Sequence, residues 1–269
     1  MKKEADIMVL PSEIQKLIVQ KTYTLDDVGM SGSQVLCFDD MVLKIGKHTD
    51  AHDREVSMLA WLASKNLPVP AVIHAQVTDG TRYLLMSRVP GKMSCAEEYL
   101  DNADTLLGIL AEGMHILWKT DISDCPCDSR LDRHLKAAER HVVNGQVDVN
   151  AVDPSTFGPG GFASPEHLLA WLYNNRPPET PVLSHGDYCL PNIFAENGRL
   201  SGFIDLGDSG IADRYQDISL CHRSLMRNMD GSYGGRVREG FDPDRLFDAL
   251  GIRPDRELLR YYRLLDELF

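Results

Sequence analysis

Apolar and polar positions change their period near residue 90. Before it, short apolar runs alternate with turns. Residues 34–38 (Gln-Val-Leu-Cys-Phe) and 41–45 (Met-Val-Leu-Lys-Ile) flank Asp39-Asp40, which predicts a hairpin with a polar turn. A helical pattern runs from Asp53 to about Ser64 and stops before Pro68 and Pro70. The apolar run 83–86 is ended by Val89-Pro90-Gly91, a strong break. Beyond it the period is helical. Leu106, Leu107, Leu110, Met114, Leu117 and Trp118 fall on one stripe of a helix over 105–120. Residues 131–142 form a second candidate helix, and 165–172 a third that begins on a proline suited to a first turn. Residues 152–161, rich in Gly and Pro, read as loop. The pattern predicts an α+β architecture. A small N-terminal lobe over 1–90 has an antiparallel sheet and one helix, a hinge lies near 86–91, and a larger, mainly helical lobe covers 91–269. No repeat of 20–50 residues is present.

Charge narrows the partners. The 269 residues carry 28 Lys+Arg against 40 Asp+Glu, a formal net charge of −12. That balance argues against nucleic acid, whose phosphates need clustered cations. It suits a cationic ligand, or solubility alone. No apolar stretch approaches the roughly 18 residues of a membrane span. The run 7–10 is too short for a signal-peptide core. Six scattered cysteines in such a chain read as reduced thiols, and Cys125-Pro126-Cys127 is neither a redox pair nor a zinc knuckle. The expected location is the cytoplasm.

Candidate chemistry concentrates in 182–194 and 202–208. Between them lies Glu196-Asn197-Gly198-Arg199, the Asn-Gly signal of a two-residue hairpin. With that turn, Glu196 faces Arg199, Phe194 faces Ser201 and Asn192 faces Phe203. Asp205 then shares the face of Asn192, about 6.6 Å along the strand. One cation could reach both. Hard oxygen ligands suit Mg²⁺, which keeps water and phosphate in its shell. Asp187, in a loop punctuated by Gly186 and Pro191, is free to meet a substrate hydroxyl. Lys44 shares a strand face with Val42, while Glu55 shares a helical stripe with Met58, Leu59 and Leu62. A carboxylate on an apolar stripe needs a partner, because unpaired buried charge is costly.

The ordered set HGDxxxxN and IDLG resembles the catalytic loop and metal motif of the protein-kinase-like fold, in its small-molecule kinase branch. LPVPAVIH, LLMS, DISDCPC, LSHGD, SGFIDLG, ADRYQDIS, CHRSL and the terminal YYRLLDELF together resemble the bacterial aminoglycoside 3′-phosphotransferase family. The likeness runs from end to end. It implies ATP as donor, with GTP left open, and Mg²⁺ held by Asn192 and Asp205. Asp187 would orient the acceptor hydroxyl and accept its proton, and Glu55 would pair with Lys44 to aim it at the ATP phosphates. His185 stands between an acid–base role and a loop histidine bonded to backbone. Ser31, in the Gly29–Ser33 segment, occupies the phosphate-covering loop, and Met86, Ser87 and Val89 the adenine-carrying hinge. The acceptor would be an aminoglycoside, its ammonium groups set against acids of the larger lobe (97–132 holds nine), Asp153, Asp230, Asp266, Glu267 and the carboxylate of Phe269. A monomer or weak dimer is expected. Two departures stand out: Asp208 occupies a position where many relatives carry Arg, and loop 152–161 keeps only Asp153. Competing expectations are a kinase of choline, homoserine or a sugar, and a catalytically dead kinase-like binding protein.

Overall fold

The polar pair Asp39-Asp40 reverses the chain between β2 (Gln34–Cys37) and β3 (Met41–Lys47), which run antiparallel with Cys37 opposite Val42. The computed structural model describes residues 10–25 and 34–269, so Ser31 and the Gly29–Ser33 segment lie outside the described residues. β1 (Thr24–Leu25), β4 (Val72–Thr78) and β5 (Thr81–Ser87) complete an antiparallel sheet of order β1-β2-β3-β5-β4.

Alternation along β3 decides what covers each face. Met41 and Leu43 join Leu36, Leu85, Ile14 and Ile18 in one apolar cluster; the last two belong to α1 (Ser12–Ile18). The other face, through Val42, Leu84 and Met86, packs on Met58, Leu59 and Leu62 of α2 (Asp50–Ser64). α1, with only two buried apolar positions, is too short for its period to stand out in the sequence. α2 starts three residues before the expected Asp53. The Thr49 N–H donates to His52 Nδ1 at 2.9 Å, so a histidine fills the place usually held by Glu or Gln in such a cap.

Past Ser87 the chain leaves this sheet. β6 (Lys92–Met93) pairs with β8 (Ile193–Glu196), which pairs in turn with β9 (Arg199–Phe203). The helices α3 (Glu97–Leu100), α4 (Ala103–Lys119), α5 (Leu131–Val143), α6 (Pro154–Phe157) and α7 (Pro165–Asn174) lead to β7 (Pro181–Ser184). β7 pairs antiparallel with β10 (Gly210–Asp213), and α8 (Arg214–Met229), α9 (Arg245–Leu250) and α10 (Arg256–Asp266) follow. Leu106, Leu107, Leu110, Met114 and Leu117 of α4 are buried, as their stripe predicts, while Trp118 is only partly covered. They belong to one cluster that runs from Met58 of α2 to Leu268, so the core is continuous across residue 90. Within the expected loop 152–161, Asp153 caps the single turn of α6 by accepting the Ser155 N–H.

The second hairpin turns on Asn197 and Gly198, both at positive φ (54° and 75°), and Glu196 faces Arg199. The register beyond differs from expectation. A bulge at Phe194/Ala195 puts Phe194 opposite Gly202 and Ile193 opposite Phe203, so Asn192 falls one residue outside the ladder. The bulged strand pair lies hard against the connection between α2 and β4. Phe203 N–H donates to the Pro68 carbonyl at 2.9 Å, and a Cβ on Gly202 would collide with that same oxygen. Among the described residues no helix is long and apolar enough to cross a membrane, and none of the six cysteines forms a disulfide.

Candidate active site

Lys44 projects from the α2 side of β3, where its Nζ donates to Glu55 Oε1 at 3.0 Å and also meets the Asp205 carboxylate. Glu55 has a second partner that sequence reasoning missed. Arg82, 5% exposed, lies two residues before Leu84 on β5, hence on the same sheet face, and binds Glu55 Oε2. An arginine in phase with inward-facing Leu84 and Met86 was the available signal. Burial alone would raise the Glu55 carboxyl, but Lys44 and Arg82 outweigh it and hold it below the ordinary value. Burial likewise works against charge on Lys44, yet Asp205 and Glu55 prevail and its affinity for the proton rises.

The lowered Glu55 carboxyl fixes the sign of a pH effect. Its contribution is fully present above the unfolded value of about 4.3 and is lost as pH falls through the lower folded value. Urea midpoints at pH 7 and pH 3 should therefore differ less in Glu55→Gln than in the native chain. Equal losses in both proteins would contradict this account of the triad.

β7 delivers the loop His185-Gly186-Asp187, and a second missed residue holds it. Asp217 of α8, fully buried, accepts the Ser184 hydroxyl at 2.9 Å, the His185 N–H at 2.8 Å and the Gly186 N–H at 3.0 Å. Gly186 sits at φ +89°, where a Cβ would strike the Asp208 backbone. His185 is also fully buried, its Nδ1 accepting the Asp187 N–H at 3.3 Å, which makes it a loop-shaping histidine. The Tyr188 hydroxyl donates to Leu110 of α4 at 2.8 Å and anchors the loop from below.

Asn192 closes the loop. Its Nδ2 donates to Asp187 Oδ2 at 2.8 Å and to the Asp187 carbonyl at 3.0 Å. Its own carbonyl accepts the Ile204 N–H at 3.0 Å, tying it to the strand end that leads to Asp205. Asp205 stands at φ +57°, outside β9, so strand alternation does not place it; the short link from Phe203 and the ion pair with Lys44 do. The Asn192 Oδ1 accepts no hydrogen bond among the described residues, and the Asp205 side chain is 47% exposed. One amide oxygen and one open carboxylate fit a cation that keeps water and phosphate for its other positions. Among the described residues no group of three or more His, Cys, Asp or Glu could hold a metal unaided. Met86 and Val89 are buried, and the Ser87 hydroxyl accepts the Ala71 N–H at 2.9 Å, so a ligand at 86–89 would meet backbone.

Asp187 opens onto a cavity of about 530 Å³ shared with Asp208, Asp266 and Phe269. Arg54, Arg133, Arg140 and Arg223 line it too, none of them anticipated. Arg54 donates to the Ser209 carbonyl at 3.0 Å, so a cation from α2 stands beside Asp208. Asp266 pairs with Arg223; burial pushes its carboxyl up against that partner's pull. The Phe269 ring rests against His141 and His134, with centroids 5.0 and 6.3 Å apart.

Other acids expected at the acceptor do not line the Asp187 cavity. Glu267 is buried, accepts the Asp153 N–H at 2.9 Å, and with Asp153 lines a different cavity. Asp230 caps α8, accepts the Ser232 N–H at 2.8 Å and lines neither cavity. The acids of 97–132 do not line the Asp187 cavity. Glu97 and Asp101 bind Arg238, Asp104 binds Arg245, Asp124 binds Lys65, and Asp132 binds Arg176.

The phosphotransferase enzyme family model matches residues 23–254. The chain is 37% identical to the aminoglycoside 3′-phosphotransferase of Enterococcus faecalis, over 97% of this chain and 99% of that one. It is 36% identical to that of Staphylococcus aureus with the same coverage. The chain belongs to the aminoglycoside 3′-phosphotransferase family. A solved type VIII aminoglycoside 3′-phosphotransferase superposes with TM-score 0.74 at 28% identity, covering 92% of this chain and 94% of that one. An aminoglycoside phosphotransferase from Streptomyces rimosus gives 0.77 at 25%, over 91% and 92%. The protein is thus an α+β, kinase-like phosphotransferase. The family model ends at residue 254, ahead of α10. Asp266, Glu267 and Phe269 therefore rest on this chain's own geometry within the aminoglycoside 3′-phosphotransferase fold.

Proposed function

We infer that this member of the family transfers the γ-phosphoryl group of ATP to the 3′-hydroxyl of aminoglycosides of the kanamycin and neomycin class, inactivating them. One observation carries the reading. The carboxylate that opens onto the cavity of about 530 Å³, Asp187, is hydrogen-bonded to Asn192, which is tied to the strand end leading to Asp205, and Asp205 in turn meets Lys44 of β3. Acceptor side and phosphate side meet at one carboxylate.

Asp187 orients the acceptor hydroxyl and takes its proton as the bond to phosphorus forms. Lys44, aimed by Glu55 and Arg82, neutralises charge on the donor phosphates. Asn192 and Asp205 would hold Mg²⁺, which supplies Lewis-acid neutralisation of those phosphates. Residues 86–89 carry the adenine ring through backbone groups, and GTP is the alternative donor. Asp208, Asp266 and the terminal carboxylate face acceptor ammonium groups, while Arg140 and His141 face its hydroxyls.

Regiochemistry is tested with paired aminoglycosides that have or lack the 3′-hydroxyl. ADP release is expected only with the hydroxyl, and equal turnover of both would refute the assignment. The cavity also separates two acids that look alike in sequence. Asp266→Asn should raise acceptor KM about tenfold, the order of one lost charge-assisted bond. Asp230→Asn should leave it within about twofold, since uncharging an exposed cap changes little. A KM raised by Asp230→Asn alone would move the acceptor to another wall.

A further inference from the structure

The second cavity, about 590 Å³, lies between the 153–162 segment and α10. Arg256, Arg260 and Arg263 line it at spacings of four and three, which set them on one side of the helix. Trp171 and Leu259 supply apolar wall. Glu267, eleven residues along the chain from Arg256, stands about 16 Å away by helical rise.

In a chain of net charge −12, arginines have carboxylates to choose from. Arg256 takes Asp244, with Nη1 at 2.8 Å from Oδ1. Arg260 and Arg263 take none: among the described residues neither forms an ion pair with a carboxylate. Arg260 lies over the Trp171 ring, 5.1 Å from its centroid. Arg263 meets His222 through Nη2, and its Nε is buried with no hydrogen-bond partner. The two carboxylates of the same cavity form no ion pair with Arg260 or Arg263, although Asp153 acts on Arg263 through space. Asp153 binds Ser155, and Glu267 accepts the Asp153 N–H. Arg260 is exposed, whereas Arg263 is partly withdrawn from water with its Nε buried, and a guanidinium so placed without an anion is costly. Their planar forks match the oxygens of a phosphate or carboxylate, and two forks with a third cation nearby suit a dianion.

We propose that this cavity is an anion-binding site, separate from the Asp187 cavity, that takes a phosphate group between Arg260 and Arg263 with Arg256 as the third cation. None of the three arginines has a part in phosphoryl transfer, so the site stands or falls independently of the proposed reaction. The phosphate can arrive free or as a monoester.

The test is calorimetric titration of the full chain with inorganic phosphate, and separately with glycerol phosphate. ADP and Mg²⁺ saturate the nucleotide cleft, and chloride holds ionic strength constant. One binding event is expected, weakened about tenfold or more by Arg260→Gln and by Arg263→Gln. Arg133→Gln and Arg140→Gln, on the wall of the other cavity, should leave it within about twofold. Tighter binding of glycerol phosphate would assign the monoester, tighter binding of inorganic phosphate the free ion. Arg260→Gln gives up only a ring contact, so it separates binding from folding. Phosphate should raise the melting temperature of the native chain and not of this variant. Absence of phosphate binding, or binding lost in Arg133→Gln or Arg140→Gln but kept in Arg260→Gln, overturns the proposal.

Discussion

Asp187→Ala should lower kcat for aminoglycoside phosphorylation by about 10²- to 10⁴-fold, the range for removal of a positioned general base. ADP affinity should stay within about twofold. The separation follows from where each group is tied. Asp187 opens on the acceptor cavity, whereas Lys44, Glu55, Arg82 and Asp205 form a linked set on the other side of the loop. The substitution also spares the loop itself. Asn192 Nδ2 keeps the residue 187 carbonyl at 3.0 Å after the side chain is gone, and the Ile204 N–H still holds the Asn192 carbonyl. A fall in kcat with intact nucleotide binding is therefore a chemical loss, not a collapsed site. Steady-state ADP release with kanamycin, alongside calorimetry with ADP, measures both halves. Turnover within tenfold of the native chain would remove Asp187 from the chemistry.

What the sequence made legible follows the range of the interaction. The Asn197-Gly198 turn and the α4 stripe depend on neighbours within a few residues, and both stand where the pattern puts them. The bulge at Phe194/Ala195 does not, because it depends on Gly202 meeting Pro68, more than a hundred residues away in the chain. Glu55 announces its need for a partner by sitting on an apolar stripe, but periodicity alone gives no second partner, and Arg82 comes from another strand. The acids of 97–132 mislead for the same reason. Asp101 is answered by Arg238, a separation of 137 residues, and no local pattern reveals that its charge is already matched. The Asp187 cavity likewise draws Arg54 from α2 and Arg133 and Arg140 from α5, which turns an expected acidic cradle into a mixed one. Glu267 accepts the Asp153 N–H on the wall of the second cavity, a bond across 114 residues that no local pattern announces.

Asp217→Ala should cost the fold more than any other single change near the site. Its carboxylate is the acceptor for three donors in a row, the Ser184 hydroxyl and the His185 and Gly186 N–H groups, all buried or nearly so. Each donor left unsatisfied costs about 1–3 kcal/mol, so the loss is about 3 kcal/mol or more against a total stability of about 5–15 kcal/mol. In a chain of this size that corresponds to a melting temperature about 6–12 °C lower. Activity should fall even in molecules that remain folded. The freed amides belong to the residues immediately before Asp187, and a shift of about 1 Å in a reacting group costs about 10²-fold. Asp217→Asn tests the same idea more gently, because it keeps the shape and one carbonyl oxygen, so it should melt between the Ala variant and the native chain. Urea unfolding of all three proteins, with kcat measured at low temperature where the Ala variant is folded, reads both effects. A native melting point, or a destabilised Ala variant with native kcat when folded, would show that Asp217 supports the core without setting Asp187.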